Sequence, residues 1–422
     1  MKFGFKQIVL STVFAGLAAP AALAQSADNP FDRGRYVAVT ERNQVGFDPE
    51  PIRTGSFDVW SSLGLDAAYN DNIFAEDAGP DDDTVIHVRP EVEARSNWTS
   101  HALTAGFRAD HREYVSNDAE TSTDYDAYLD GRLDVRRSFA FTGRLNAAHV
   151  TEDRYEPAGS NAPEPAQYET LGATVGARFR TDRIQLEGTV GTVDRNFNTG
   201  FEYRDVTENA VFARASYAVS PDVAIFVQGT RSEQDYDDPG DALNPNRDGT
   251  RTNMQVGASF ELQAPFRGEI AVGSEEEDKD DPTRIDTDGL SVDGRLYWFP
   301  SQLTTVTIRA DQGVFDPGIV EAASADRMNY GVRVDHELRR NIIIFGDVGF
   351  GRYEFEGTAI NPYDREDEYT DLRAGFAYKI NPRMHAEFSY HLHNQESSGA
   401  DADPTRLSFD QNIISAGLKF YP

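Results

Sequence analysis

From Thr54 onward the chain repeats one pattern: about a dozen residues of alternating apolar and polar side chains, a turn, then another such run. FAFTGRLNA (139 to 147), IQLEGTVGT (184 to 192), FRGEIAVG (266 to 273) and RMHAEFSYHL (383 to 392) show it most clearly. Successive side chains of a strand point to opposite faces, so each run has one greasy and one wet face. Eighteen such segments begin near residues 56, 84, 101, 124, 139, 167, 184, 204, 223, 250, 266, 284, 303, 325, 341, 366, 383 and 405.

The links between segments sort by length. Eight are short: Asn97-Trp98-Thr99-Ser100, Arg137-Ser138, Thr181-Asp182-Arg183, Ser220-Pro221-Asp222, Ala264-Pro265, Pro300-Ser301, Arg340-Asn341 and Asn381-Pro382-Arg383. Nine are longer and mostly acidic, including AEDAGPDDD (75 to 83), YDDPGDALNPNRDG (236 to 249) and EEEDKDD (275 to 281). An even strand count with both ends on the short-turn side predicts an all-β fold: a transmembrane antiparallel up-and-down β-barrel of about 18 strands over residues 54–422. Short periplasmic turns and long acidic extracellular loops are expected. Backbone groups in lipid must all be paired, and closure is how a sheet achieves that. Leu171, Ala173, Val175, Ala177 and Phe179, like Leu290, Val292, Gly294, Leu296 and Trp298, form uncharged lipid-facing rows. Glu275, Glu276, Glu277, Asp278, Asp280 and Asp281 are expected to crowd a solvated loop tip held extended by self-repulsion. That tip could also share divalent cations with anionic glycolipids.

Composition alone would suggest a soluble acidic protein: 422 residues, 39% hydrophobic, with no cysteine and a mean hydropathy of -0.56. A barrel accounts for the low value, because only half of each strand meets lipid. MKFGFKQIVLSTVFAGLAAPAALA has the basic start, apolar middle and small-residue end of a secretory signal, so residues 1–24 are predicted to be cleaved. Removing Lys2 and Lys6 takes the formal charge from -31 to -33. An acidic chain of this kind is not expected to bind nucleic acid, which needs a basic face. Without cysteine there is neither a disulfide framework nor a thiolate metal site. The expected location is the bacterial outer membrane, with lipid and lipopolysaccharide around the wall. Residues 25–53 lack sustained alternation and are read as a periplasmic N-terminal arm, which could instead tuck into the pore.

Ile414, Ala416, Leu418 and Phe420 alternate with Ser415, Gly417 and Lys419, the form of a terminal strand read by the outer-membrane assembly machinery. The chain departs from that form at Pro422, where an aromatic residue is usual.

The region around the first two strands resembles the putative beta-barrel porin 2 family. The resemblance rests on Gly55-Ser56-Phe57, on the motif Tyr69, Asn70, Asp71, Asn72, Ile73, Phe74, on Arg89-Pro90, and on Ser96-Asn97-Trp98 followed by His101. It implies an outer-membrane barrel; some members resemble the barrel component of exopolysaccharide or capsule export, working with a periplasmic polysaccharide-export lipoprotein. On the residues themselves, Tyr69 suits an interfacial aromatic girdle. Asn70-Asp71-Asn72 suit a turn out of the membrane. A cation site joining Asp71 to Asp81, Asp82 and Asp83 is the alternative.

The polar parity carries an arginine in eleven strands: Arg89, Arg108, Arg132, Arg144, Arg178, Arg214, Arg267, Arg295, Arg309, Arg333 and Arg373. These are the predicted channel-lining residues. Asp110, Asp130, Asp134, Glu187, Glu269, Asp293, Asp311 and Asp335 share the face. The arginines either pair within the wall or offer planar, bidentate donors to anionic groups on a passing solute. On the seventeenth segment His385, Glu387, His391 and His393 share a parity, but same-face neighbours lie ~7 Å apart. Two of them cannot hold one metal without another strand, so no metal and no cofactor are predicted. An enzyme would need a nucleophile and base at the rim, with Ser389 beside the histidines as the candidate; no catalytic residue is assigned. The expected function is an exit pore for a secreted polysaccharide, with a diffusion porin for small hydrophilic solutes as the alternative.

Overall fold

A computed structural model describes residues 34–157, 163–240, 246–263, 265–319, 322–358, 362–402 and 407–422. The predicted signal segment, residues 25–33 of the arm and Ala264 of one short turn lie outside the described residues. The strands are β1 (Ile52–Thr54), β2 (Phe57–Asn70), β3 (Asp83–Ser96), β4 (Ala102–Tyr114), β5 (Ser122–Arg136), β6 (Phe139–Thr151), β7 (Gln167–Arg180), β8 (Ile184–Phe197), β9 (Val206–Ser220) and β10 (Val223–Tyr236). They continue as β11 (Gly249–Glu261), β12 (Phe266–Lys279), β13 (Thr287–Ser301), β14 (Thr304–Phe315), β15 (Ala322–Arg339), β16 (Ile342–Gly357), β17 (Asp364–Asn381), β18 (Met384–Ser398) and β19 (Phe409–Phe420). Each pairs antiparallel with the next, and β19 returns to β2. The result is a closed 18-strand antiparallel barrel, β2 to β19. The predicted starts hold to within a few residues, the largest slip being 405 against Phe409.

The seam needs two pieces of chain. β19 pairs with β2 from Ile413↔Asn70 to Phe420↔Leu63. β3 covers the whole of the other edge of β2. The short β1, paired with Phe57 to Val59, therefore continues the β19 lane. Most register shifts fall beside short turns, at Asp134/Arg136, Val223/Ala224, Trp298/Ser301, Glu337/Arg339 and Lys379/Asn381. An extra residue there tightens the local twist as the chain reverses.

One expectation is overturned. Glu275 to Lys279 are not a loop tip but the end of β12. Their alternation continues: Glu275, Glu277 and Lys279 are buried, while Glu276 and Asp278 are exposed. Partners on the same inner face make this possible, because Glu277 accepts from Arg251, directly opposite on β11, at 3.2 Å and from Lys279, two residues along β12, at 2.8 Å. A charge run looks like a loop in sequence; here half of it is an ion-pair network.

Leu171 and Val175 are 65% and 62% exposed, on the parity opposite Arg178. Arginine in place of Val175 should therefore destabilise the folded barrel by roughly 2 to 4 kcal/mol near the bilayer midplane. Arginine in place of Thr174, one residue away on the inner face, should be tolerated. Unfolding titrations in lipid vesicles distinguish the two; equal costs would refute the register.

The described part of the arm lies inside the barrel, at the short-turn end. Val39 is 1% exposed, and its N–H donates to Thr305 Oγ1 at 3.0 Å. Arg35 pairs with Asp222 at 2.7 Å, and the Tyr36 ring stacks on Phe299. Arg267 donates to the Tyr36 carbonyl and to Glu41 at 3.1 Å. Arg42 and Gln44 both reach Glu337, Lys379 holds Asp48, and the His385 imidazole meets the Phe47 carbonyl at 2.9 Å. These partners run from the β9–β10 turn to β18, so the arm forms a shelf along about half the inner circumference.

Candidate functional site

The motif at the end of β2 ties the barrel shut. Asp71 accepts from the Asn412 backbone N–H at 2.7 Å and from its Nδ2 at 2.8 Å. Asn72, 2% exposed, donates to the carbonyls of Glu76 and Asp410, while its own carbonyl accepts from Gln411 at 2.6 Å. Two strands whose ladder ends at Asn70↔Ile413 are thus joined further by side chains. Ile73 is buried, and its N–H donates to the Asp81 carbonyl. Phe74 lies under the Arg154 guanidinium. Asp83 is taken up by Ser116 and Asn117 of the next loop. Asp71 and Asp83 are held by different partners, and among the described residues the four aspartates of the alternative cation site do not converge closely enough to share an ion.

The inward arginines are mostly engaged already. Arg89 lies 3.3 Å from Asp66 and 3.5 Å from Asp110, and Arg108 lies 3.2 Å from Asp126. Arg132 pairs with Asp134, Arg144 with Asp130, and Arg214 with Glu269 at 2.7 Å. Arg309 and Arg333 share Asp347, and Arg333 also holds Asp335 at 2.9 Å. Arg373 lies 3.9 Å from Asp371, and Arg267 is taken by the arm. Arg214 and Arg333 further lie over Phe226 and Phe345. Arg178 and Arg295 alone of the eleven carry no ion pair among the described residues.

Two long loops cross the lumen. From the β6–β7 loop, Glu152 takes both terminal nitrogens of Arg204, at 2.9 and 2.7 Å. Asp153 pairs with Arg112 of β4, and Arg154 with Glu120. Tyr155 packs its ring 4.9 Å from that of His393 on β18, and Arg365 of β17 donates to the Pro157 carbonyl. The loop is held by Arg204 before β9, reaches partners on β18 and β17, and brings Glu156 close enough to Arg327 of β15 to feel its charge, so it spans the interior as well as touching the seam wall. The β14–β15 loop reaches inward as well. Its Asp316, 2% exposed, is held by Arg247 and by the Tyr236 hydroxyl at 2.9 Å, with Lys279 3.8 Å away. Burial raises the pKa of Asp316, but Arg247 and Lys279 outweigh it and hold the carboxyl well below the usual carboxylate range. Tyr203 beside Arg204 donates to the Gly318 carbonyl at 3.3 Å, joining the two loops.

Glu156 in the crossing loop has no basic partner at hydrogen-bond distance among the described residues. Burial first, then the neighbouring Asp153 and Glu152, pushes its pKa up to about 8; Arg204 and Arg327 act in the opposite direction. Nothing in the sequence of this loop marks it as an inward one. Arg112, by contrast, shares the parity of Arg108 and was accessible to the same projection.

A closed antiparallel barrel with a polar, ion-paired interior and inward loops defines a porin-like outer-membrane channel. The chain belongs to the family described as putative beta-barrel porin 2, whose model matches residues 45–421. That is a family of barrel porins rather than enzymes. No curated protein sequence matches the chain. Among solved structures, OpdK from Pseudomonas aeruginosa is 10% identical, with 86% of this chain and 99% of that one covered at a TM-score of 0.48. OccK2 (OpdF) from the same organism is 10% identical, with 86% and 98% covered and a TM-score of 0.49. The iron transporter FrpB from Neisseria meningitidis is 8% identical, with 85% and 66% covered and a TM-score of 0.47. These are likenesses of fold alone.

Proposed function

We propose that this chain is a narrow diffusion porin for small hydrophilic solutes. The observation that supports this most directly is the β6–β7 loop, which crosses the lumen and reaches Tyr155 to His393 on the far wall. A chain-like polysaccharide would have to displace that loop and the arm, each held by several ion pairs, and the β14–β15 loop, held through Asp316. A small solute needs only the space between them. Of the eleven arginines, Arg178 and Arg295, without an ion pair among the described residues, are the ones available to meet an anionic group on such a solute. In this reading residues 1–24 direct export, the assembly machinery inserts the barrel among outer-membrane lipid and lipopolysaccharide, and the long-loop end of the barrel faces outward. No periplasmic export lipoprotein is required.

Purified barrel in liposomes should admit monosaccharide-sized solutes and exclude long oligosaccharides in a swelling assay. A deletion strain should take up small hydrophilic solutes more slowly while keeping its extracellular polysaccharide. Loss of surface polysaccharide with unchanged uptake would reverse the assignment in favour of a polymer exit, for which the lipoprotein partner would then be sought.

A further inference from the structure

We propose that Asp371, His391 and His393 form a binding site for a divalent transition-metal ion on the inner wall. The two histidines share one face of β18 and are too far apart along it to chelate unaided. Register solves this, because β17 places Asp371 directly opposite His393 and Arg373 opposite His391. One atom from each of Asp371, His391 and His393 can be chosen so that all lie within 4.8 Å of one another. A single oxygen of Asp371 lies 2.6 Å from His391 Nε2 and 3.2 Å from His393 Nδ1. Modest side-chain rotation lets one ion sit at the ~2.0–2.2 Å typical of imidazole and carboxylate ligands.

The surroundings favour a fixed site. His393 is 2% exposed. Its ring is packed among Tyr155, Tyr369 and Phe409, at centroid distances of 4.9, 5.6 and 5.4 Å. That cage fixes the ring's orientation before an ion arrives. His393 Nε2 has no hydrogen-bond partner, while Nδ1 already faces the Asp371 oxygen, so Nδ1 is the ligand atom the held ring presents. Two imidazoles and one carboxylate select zinc, nickel or copper over calcium or magnesium, which prefer all-oxygen shells. Among the described residues Arg373, 3.9 Å from Asp371, is the cation that competes for this carboxylate; that distance exceeds a hydrogen bond, and the carboxylate has a second oxygen to offer it. Water or an anionic solute in the lumen would complete the ion's coordination. The site does not depend on what the pore carries.

The test is isothermal titration of the folded, detergent-purified full barrel with ZnCl2, and with CaCl2 as a control. One saturable zinc event per barrel is expected, with none for calcium. His391→Gln, at a half-buried position, should weaken it at least tenfold, and Asp371→Asn likewise. Heat-modifiable gel mobility confirms that each variant is folded. If Asp371→Asn misfolds, His391→Gln decides alone. Absence of saturable zinc binding, equal binding by His391→Gln, or equal binding of calcium would overturn the proposal.

Discussion

Deleting residues 34–51 should raise single-channel conductance several-fold while leaving a folded, heat-modifiable barrel. The arm contributes no strand to the closed ladder, since β1 begins at Ile52. Yet its backbone and side chains occupy the inner surface from Asp222 to His385. Most of its fixation is polar: Arg35 to Asp222, Arg42 to Glu337, Lys379 to Asp48 and Arg267 to Glu41. Water entering a widened mouth can replace such contacts at little cost to the wall, because solvated ion pairs contribute only about 0–1 kcal/mol each. Val39 and the stacked Tyr36 are the apolar anchors. A deleted protein that folds normally but conducts like the full chain would show that the shelf leaves the current path clear. A deleted protein that fails to fold would instead make the arm part of the barrel's assembly.

The barrel was legible because its physics is periodic. Lipid on one face and water on the other impose a period of two, and the turn signals fall between the runs. The arginines followed from the same parity. What parity does not give is where a non-repeating segment goes. Residues 34–51 have no period, so the sequence left open whether they project or tuck in; Thr305, Glu337 and His385, hundreds of residues away, decide it. The β6–β7 loop is equally silent, since Glu152 and Arg204, 52 residues apart, become partners only once β6 to β9 have paired. EEEDK misled for a related reason: a strand can extend beyond the lipid, where charge is no longer excluded and buried partners such as Arg251 replace water. The histidines were correctly placed on one face, but the third ligand came from a neighbouring strand whose register one sequence does not state.

Conductance should also rise with pH between about 5 and 9, and Glu156→Gln should flatten that dependence. Glu156 sits in the crossing loop with its pKa pushed from 4.5 up to about 8, by burial first and then by Asp153 and Glu152, against the opposing pull of Arg204 and Arg327. With the loop docked, the carboxyl therefore keeps its proton at neutral pH; with the loop released into water it loses the proton near its ordinary value. Between those two values the docked state binds more protons, so docking is favoured fully below about pH 4.5 and loses stability steadily as pH rises through 8. At full strength the displacement amounts to roughly 5 kcal/mol, an upper limit because lumen water reaches the group and screens it. Even a third of that would change the ratio of docked to released loop by about tenfold. Glutamine keeps the shape and the neutral amide at every pH, so its loop should stay docked across the range and hold a low, constant conductance. Bilayer recordings at pH 5, 7 and 9 in constant salt provide the comparison. If the wild-type and Glu156→Gln channels trace the same curve, the crossing loop is not the element that titrates.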